Sequence, residues 1–144
     1  MKTMTALISE KRVFDVVICD PPKLAPTRAG LAKATNKYKQ INILAMRFVL
    51  HYLTLLQPLR YALEYALFNS LVKPGGLLLS CTCSAAMTQA MPPVGGFESM
   101  LFAAAKAAQR DVTVLRSAGA GSDHPVLLSY PEGRYLTATL LSVH

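Results

Sequence analysis

Two short stretches of the chain hold residue types whose spacing suits chemistry. Asp20-Pro21-Pro22-Lys23 follows one apolar run, and Ser80-Cys81-Thr82-Cys83-Ser84 ends another. Successive prolines fix the backbone, so the Asp20 carboxylate and the neighbouring carbonyls would be held rigidly towards a ligand. Rigid acceptors suit an amino-bearing base, although the same residues also serve simply as a strand end with a stiff turn. A cysteine thiolate can attack a carbon centre, and a nearby cation such as Lys23 would lower the thiol pKa. Free cysteines are also among the most often buried residues, so Cys81 and Cys83 taken singly fit a packing role, and Cys19, inside its apolar run, fits one better still. The basic residues between Lys23 and Lys37, with Lys39 and Arg47, would contact phosphates or form a solvated face. His124-Pro125 would orient a substrate or cap a turn.

The elements that must position these groups are legible in the apolar pattern. Val13 to Cys19 is a short β-branched run that reads as a strand buried on both faces. A polar loop from Lys23 to Lys37 precedes apolar residues at helical spacing: Tyr38, Ile41, Ala45, Phe48, Val49 and Tyr52. Pro58 suits the first turn of a second helix, with Leu59, Ala62, Leu63, Ala66, Leu67 and Leu71 on one stripe, and Lys73-Pro74-Gly75-Gly76 stops it. Leu77 to Cys83 is a second buried strand, followed by a loop with Pro92-Pro93 and Gly95-Gly96. Phe97, Met100, Leu101, Ala104 and Ala108 form a third helical face. Asp111 to Leu115 and Tyr135 to Val143 read as strands flanking a glycine-rich loop at 117–122. This order predicts an α/β fold with a doubly wound parallel sheet that ends in an antiparallel pair. Ligands of such sheets bind outside the carboxyl ends of the parallel strands. If the two strands are neighbours, a carboxylate and a thiol face one crevice.

At 144 residues the chain has room for one domain, and its 52% hydrophobic and 16% charged residues exclude a largely disordered chain. A net charge of +7 attracts polyanions and equally supports solubility. Three cysteines, two of them in Cys81-Thr82-Cys83, suit neither a paired extracellular framework nor a four-ligand zinc site, and a reducing intracellular compartment is expected. Residues 1–10 lack the long apolar core of a secretory signal. The most apolar window, Phe48 to Leu71, is interrupted by His51, Gln57, Pro58, Arg60 and Glu64, so a buried or interfacial helix is expected there and no membrane span.

Four blocks in register carry a family resemblance: Phe14-Asp15-Val16-Val17-Ile18-Cys19-Asp20-Pro21-Pro22-Lys23; Tyr38-Lys39-Gln40-Ile41-Asn42; Lys73 to Ser84; and Asp123-His124-Pro125 with Tyr130 to Leu136. Together they resemble the large-subunit ribosomal RNA cytosine-C5 methyltransferases that carry an N-terminal PUA domain. The resemblance implies the C-terminal part of a class I, Rossmann-like methyltransferase domain, S-adenosyl-L-methionine (SAM) as cofactor and a cytosine of ribosomal RNA as substrate. It also implies that Cys83 adds to C6 of the cytosine, that Asp20, Pro21 and Pro22 line the donor pocket, and that Lys23, Tyr38, Asn42 and His124 contact the substrate. The target base must leave its stack to reach such a pocket. No metal is implied, and the cytoplasm, or an organelle with its own ribosomes, is the expected location.

The chain departs from the family pattern in two places. The glycine-rich SAM loop, the acidic ribose-binding residue and the PUA domain are expected upstream of Phe14, where this sequence has only thirteen residues. Residues of about 48–69 are extra, as a dimer-forming helix, an insertion or retained non-coding sequence. The sequence therefore predicts a catalytic part of a longer chain, with an exposed strand edge open to a second copy or a partner. The alternative is a catalytically silent remnant that binds RNA or a protein.

Overall fold

The computed structural model describes residues 2–24, 28–47, 71–90 and 96–144. Two segments of opposite character begin it: α1, Lys2–Ser9, and β1, Phe14–Cys19. A single 3-10 turn at Arg28–Gly30 leads into α2, Leu31–Met46, and the chain then forms β2, Val72–Thr82. A one-turn helix, α3 (Ala85–Thr88), and a longer one, α4 (Phe97–Ala108), precede β3, Val112–Ala118. A 3-10 turn at Pro131–Gly133 introduces the last strand, β4, Thr137–Val143.

The strands form one mixed sheet in the order β1-β2-β4-β3. β1 runs parallel to β2, with Phe14 opposite Val72 and Cys19 opposite Ser80. β4 is antiparallel to β2, with Thr82 opposite Thr137, and antiparallel to β3, with Val112 opposite Val143. The α/β order, the neighbouring parallel strands and the closing antiparallel pair are those the sequence predicts.

Alternation along the strands decides what is buried. Leu78, Ser80 and Thr82 of β2 and Thr139, Leu141 and Val143 of β4 are buried, and the hydrophobic ones join Tyr38, Met46, Phe97, Met100 and Leu101 in a single core. α2 and α4 pack on each other above this face, and α4 buries the stripe its spacing predicts, from Phe97 through Met100, Leu101 and Ala104 to Ala108. Arg110 is buried behind α4, where its guanidinium donates to the main-chain carbonyls of His144 (2.5 Å), Met46 and Val143 (both 3.5 Å). The end of α2 and the end of β4 are thereby tied to one side chain.

The structure corrects several expectations. The strand at 13–19 is not buried on both faces: β1 is outermost in the sheet, and Val16 and Ile18 are 53% and 65% exposed. The loop expected to reach Lys37 ends sooner, because α2 starts at Leu31 and buries Ala34, Tyr38, Asn42 and Ala45 at helical spacing. Lysines at 33, 37 and 39 disguise that stripe in the sequence. The short α1 lies where no element was expected. The second helical stripe (Leu59 to Leu71) lies outside the described residues except for Leu71, which is buried just before β2, and the extra segment at 48–69 and the Pro92-Pro93 loop lie outside them as well.

Lys73-Pro74-Gly75-Gly76 does not precede a strand but interrupts one. The register jumps between Phe14 opposite Val72 and Val16 opposite Leu77, so β2 bulges out against β1. Gly75 takes a positive φ of 76°, a conformation glycine adopts at little cost. At Gly76 a Cβ would stand 2.9 Å from the carbonyl oxygen of Asp15. Lys73 reaches across to pair with the Asp15 carboxylate, which holds that carboxyl below its ordinary pKa.

Candidate active site

The β1–β2 ladder determines which groups meet at the carboxyl end of the sheet. Because Cys19 stands opposite Ser80, the next residues, Asp20 and Cys81, emerge beside each other. Asp20 is exposed, Pro21 is half-buried, and Pro22 and Lys23 are exposed. Cys81 is 8% exposed, and its thiol pKa is raised first by burial and then by the Asp20 carboxylate. Cys19, deeper on the core side, is pushed up to about 11 by burial, with a smaller contribution from Cys81. These two thiols are protonated near neutral pH.

Cys83 occupies a different setting. It follows the last residue of β2 and is half-buried. The Ser84 N–H donates to Thr82 Oγ1 (3.3 Å), and the Ser84 carbonyl accepts from the N–H groups of Met87 and Thr88, both at 2.9 Å. A tight strand-to-helix turn thus presents Cys83 at the same end of the sheet as Asp20. Of the three cysteines it is the one not classed as buried.

An open cleft of about 650 Å³ runs along the outer side of β1, from Met4 and Phe14 past Val16 and Ile18 to Asp20 and Pro21. α2 contributes Lys37 and Ile41 to its walls. The walls are mainly apolar, with the one carboxylate at the end where the parallel strands finish. Cys83 does not line this cleft.

Tyr38 and Asn42, which the resemblance assigns to the substrate, are both buried. Tyr38 is 0% exposed, packs edge-on against Phe97 at 6.1 Å between ring centroids, and its hydroxyl accepts from the Leu24 N–H at 3.5 Å. It braces the chain just after Lys23 from below, since an aromatic ring with a polar tip can serve core and loop together. Asn42 is also buried, and its Nδ2 donates to the Tyr38 carbonyl (2.9 Å). Asn42 Oδ1 and Ser80 Oγ have no hydrogen-bond partner among the described residues. Lys23 forms no ion pair among the described residues and stays in solvent.

His124 is exposed, on the segment between β3 and β4, with Nδ1 3.0 Å from an Asp123 oxygen. It borders a second hollow, of about 350 Å³, with Arg134, Thr88 and Thr137. Thr137 pairs with Thr82, so this hollow also lies at the carboxyl end of β2. Sequence reasoning assigned no role to Cys81 beyond packing or to Gln89. Only the ladder register places Cys81 beside Asp20, and the partners of Gln89 are carbonyls far along the chain. Among the described residues no group of three or more His, Cys, Asp or Glu could hold a metal ion, and no helix is long and apolar enough to cross a membrane.

No protein-family profile matches the chain. Ribosomal RNA large subunit methyltransferase I of Yersinia pseudotuberculosis serotype O:1b (strain IP 31758) is 36% identical over 123 residues, and that of Yersinia pestis matches equally. The match takes in 85% of this chain but 24% of each relative, so the chain spans about a quarter of their length. Among solved structures, a crystal structure described as a methyltransferase complexed with SAH superposes with a TM-score of 0.57 at 16% identity, over 98% of this chain and 29% of that one. A structure from Streptococcus mutans, described as that of a SAM-dependent methyltransferase, superposes with a TM-score of 0.58 at 15% identity, over 98% of this chain and 28% of that one. The fold is the α/β, Rossmann-like fold of such enzymes.

Proposed function

We propose that the chain is the C-terminal catalytic part of a SAM-dependent methyltransferase that acts on ribosomal RNA, at C5 of a cytosine, with Cys83 as nucleophile. The observation that carries this reading is the juxtaposition of the β1 and β2 carboxyl ends, which puts a rigid Asp-Pro-Pro turn and an accessible cysteine at one end of a parallel pair. The similarity to large-subunit ribosomal RNA methyltransferases over 85% of the chain supports the substrate class. The cleft beside β1 suits the donor: its walls are apolar, and a carboxylate and a proline-fixed backbone stand where the strands end.

The bound cofactor would supply an electrophilic methyl group. Asp20 accepts a hydrogen bond from the exocyclic amino group of the flipped cytosine, and the Asp20-Pro21 backbone keeps that acceptor from moving. The Cys83 thiolate forms a bond to C6, which shifts the C5–C6 π electrons to C5 and makes that carbon nucleophilic. After methyl transfer, solvent water takes the C5 proton, the C5–H electrons re-form the C5–C6 double bond, and the S–C6 bond breaks to return the thiolate and the aromatic base.

The remainder of the donor site, a glycine-rich loop and an acidic ribose-binding group, belongs to strands that pair with the outer edge of β1, from the same longer chain or a partner. Ribosomal RNA as substrate places the enzyme in the cytoplasm or an organelle with ribosomes. The exposed Val16 and Ile18 favour a second reading, in which the chain is a silent remnant that binds RNA or a protein through its open edge.

The test is to incubate the chain, joined to the upstream half that carries the rest of the donor site, with labelled SAM and large-subunit ribosomal RNA and to locate the methylated atom by mass spectrometry. A 5-methylcytosine product that falls at least about a thousandfold in Cys83→Ala is expected. Retained C5 methylation in that variant removes Cys83 from the chemistry, a methyl group on the amino nitrogen makes the enzyme amino-directed, and no transfer at all favours the second reading.

A further inference from the structure

The hollow beside Arg134 and His124 has no part in the chemistry proposed above, yet it is built with care. Its walls include the hydroxyl-bearing Thr88, Ser117 and Thr137 together with Arg134 and His124, whose side chains are exposed at its rim. Arg134 forms no ion pair among the described residues. The Asp123 carboxylate engages Nδ1 of His124, which leaves Nε2 as the free ring nitrogen. Asp123 and Glu132 are the acidic neighbours, and both are exposed to solvent, where their influence on a bound anion is screened.

The Arg134 side of the rim does not rest on its local 3-10 turn alone. Gln89 Nε2 donates to the carbonyls of Pro131 (2.7 Å) and Arg134 (3.1 Å), Thr88 Oγ1 donates to the Tyr135 carbonyl (3.1 Å), and Thr137 Oγ1 donates to Thr88 Oγ1 (3.0 Å). Thr88 and Gln89 end the helical turn that starts directly after Cys83-Ser84. The Arg134 turn and the Cys83 turn are therefore bolted to the same few residues.

We propose that this hollow is a phosphodiester subsite for the RNA strand next to the target base, with Arg134 as its ligand and Thr88 and Gln89 as positioning residues. It rests on the reading of RNA as substrate. A base turned out of its stack leaves its flanking phosphates at the pocket rim, and those phosphates set its position and depth. An arginine fork matches a phosphate in geometry as well as charge. Fixing that fork to the strand-to-helix turn at Cys83 holds the strand at a constant distance from the thiol.

The experiment measures binding of a short fluorescent single-stranded RNA to the chain by anisotropy across a salt series. Arg134→Ala is expected to weaken binding roughly five- to tenfold and to reduce the slope of log affinity against log salt by about 0.7, the contribution of one single-strand phosphate contact. Arg134→Lys is expected to restore the slope but only part of the affinity. Gln89→Ala is expected to lower affinity about two- to fivefold with no change in slope, because it removes no charge. Wild-type affinity and slope in Arg134→Ala, or a wild-type chain that does not bind RNA, overturns the proposal. Binding is read without any methyl transfer, so failure of the Cys83 chemistry leaves this outcome intact and separately visible.

Discussion

Asp20 and Cys81 lie side by side where two parallel strands end, one register step beyond the Cys19–Ser80 pair. The carboxylate raises the pKa of that thiol, in addition to the larger effect of burial. A negative charge so near a cysteine suppresses its thiolate, so Cys81 is held inert while Cys83, past the end of β2, stays accessible. Asp20→Asn should then make Cys81 more reactive. Peptide-resolved iodoacetamide labelling at pH 8 is expected to speed up about two- to threefold at Cys81. An unchanged rate there would show that the two groups do not sense one another.

The bulge in β2 leaves no room for a side chain at Gly76, where a Cβ would press on the Asp15 carbonyl of the adjacent strand at 2.9 Å. Backbone on one side and backbone on the other cannot yield cheaply. Gly76→Ala is expected to cost roughly 2 kcal/mol in urea unfolding. Gly75→Ala, at a positive φ in open space, is expected to cost about 1 kcal/mol. Equal, negligible losses at both would mean that the bulge is not formed.

Ile18 projects from the outermost strand and is largely in solvent. An apolar edge of this kind pairs readily with other strands, and lysine there opposes it. Ile18→Lys is expected to reduce self-association in sedimentation velocity while changing stability by no more than about 0.5 kcal/mol. A large loss of stability would instead show that residue 18 is packed.

Burial moves the Cys19 thiol from an ordinary value of 9.0 to about 11. Between these values the folded chain keeps a proton that the unfolded chain has released. The associated stability is complete below pH 9 and is lost as pH rises towards 11, by up to about 3 kcal/mol. Cys19→Ala should flatten that part of the profile, and the difference between the two proteins in urea unfolding at pH 8.5 and 10.5 measures it. A parallel decline in both would assign the loss to other groups.

The parts of the fold that local pattern can encode were legible. The β-branched run ending at Cys19 is a strand, the stripe from Phe97 to Ala108 is a helix, and the last two strands pair antiparallel. Legibility failed where an element's pattern was masked or its partner lay elsewhere. Lysines on the outer face hid the start of α2, and Lys73-Pro74-Gly75-Gly76 looked like a terminator because a bulge is defined only by the strand it bulges against. The resemblance assigned Tyr38 and Asn42 to the substrate, yet the helix turns both inward, where the ring of Tyr38 meets Phe97 and its hydroxyl meets Leu24.

From its sequence alone the order of this protein's four strands and the turns that end the first two were determined, because apolar periodicity and proline act over a few residues and need no distant partner. The tertiary structure alone decided that Asp20 meets Cys81, that one face of β1 stands bare, and that Gln89 carries the Arg134 turn. Each of these depends on hydrogen bonds and burial between segments tens of residues apart, which exist only after the chain has closed the loops that join them.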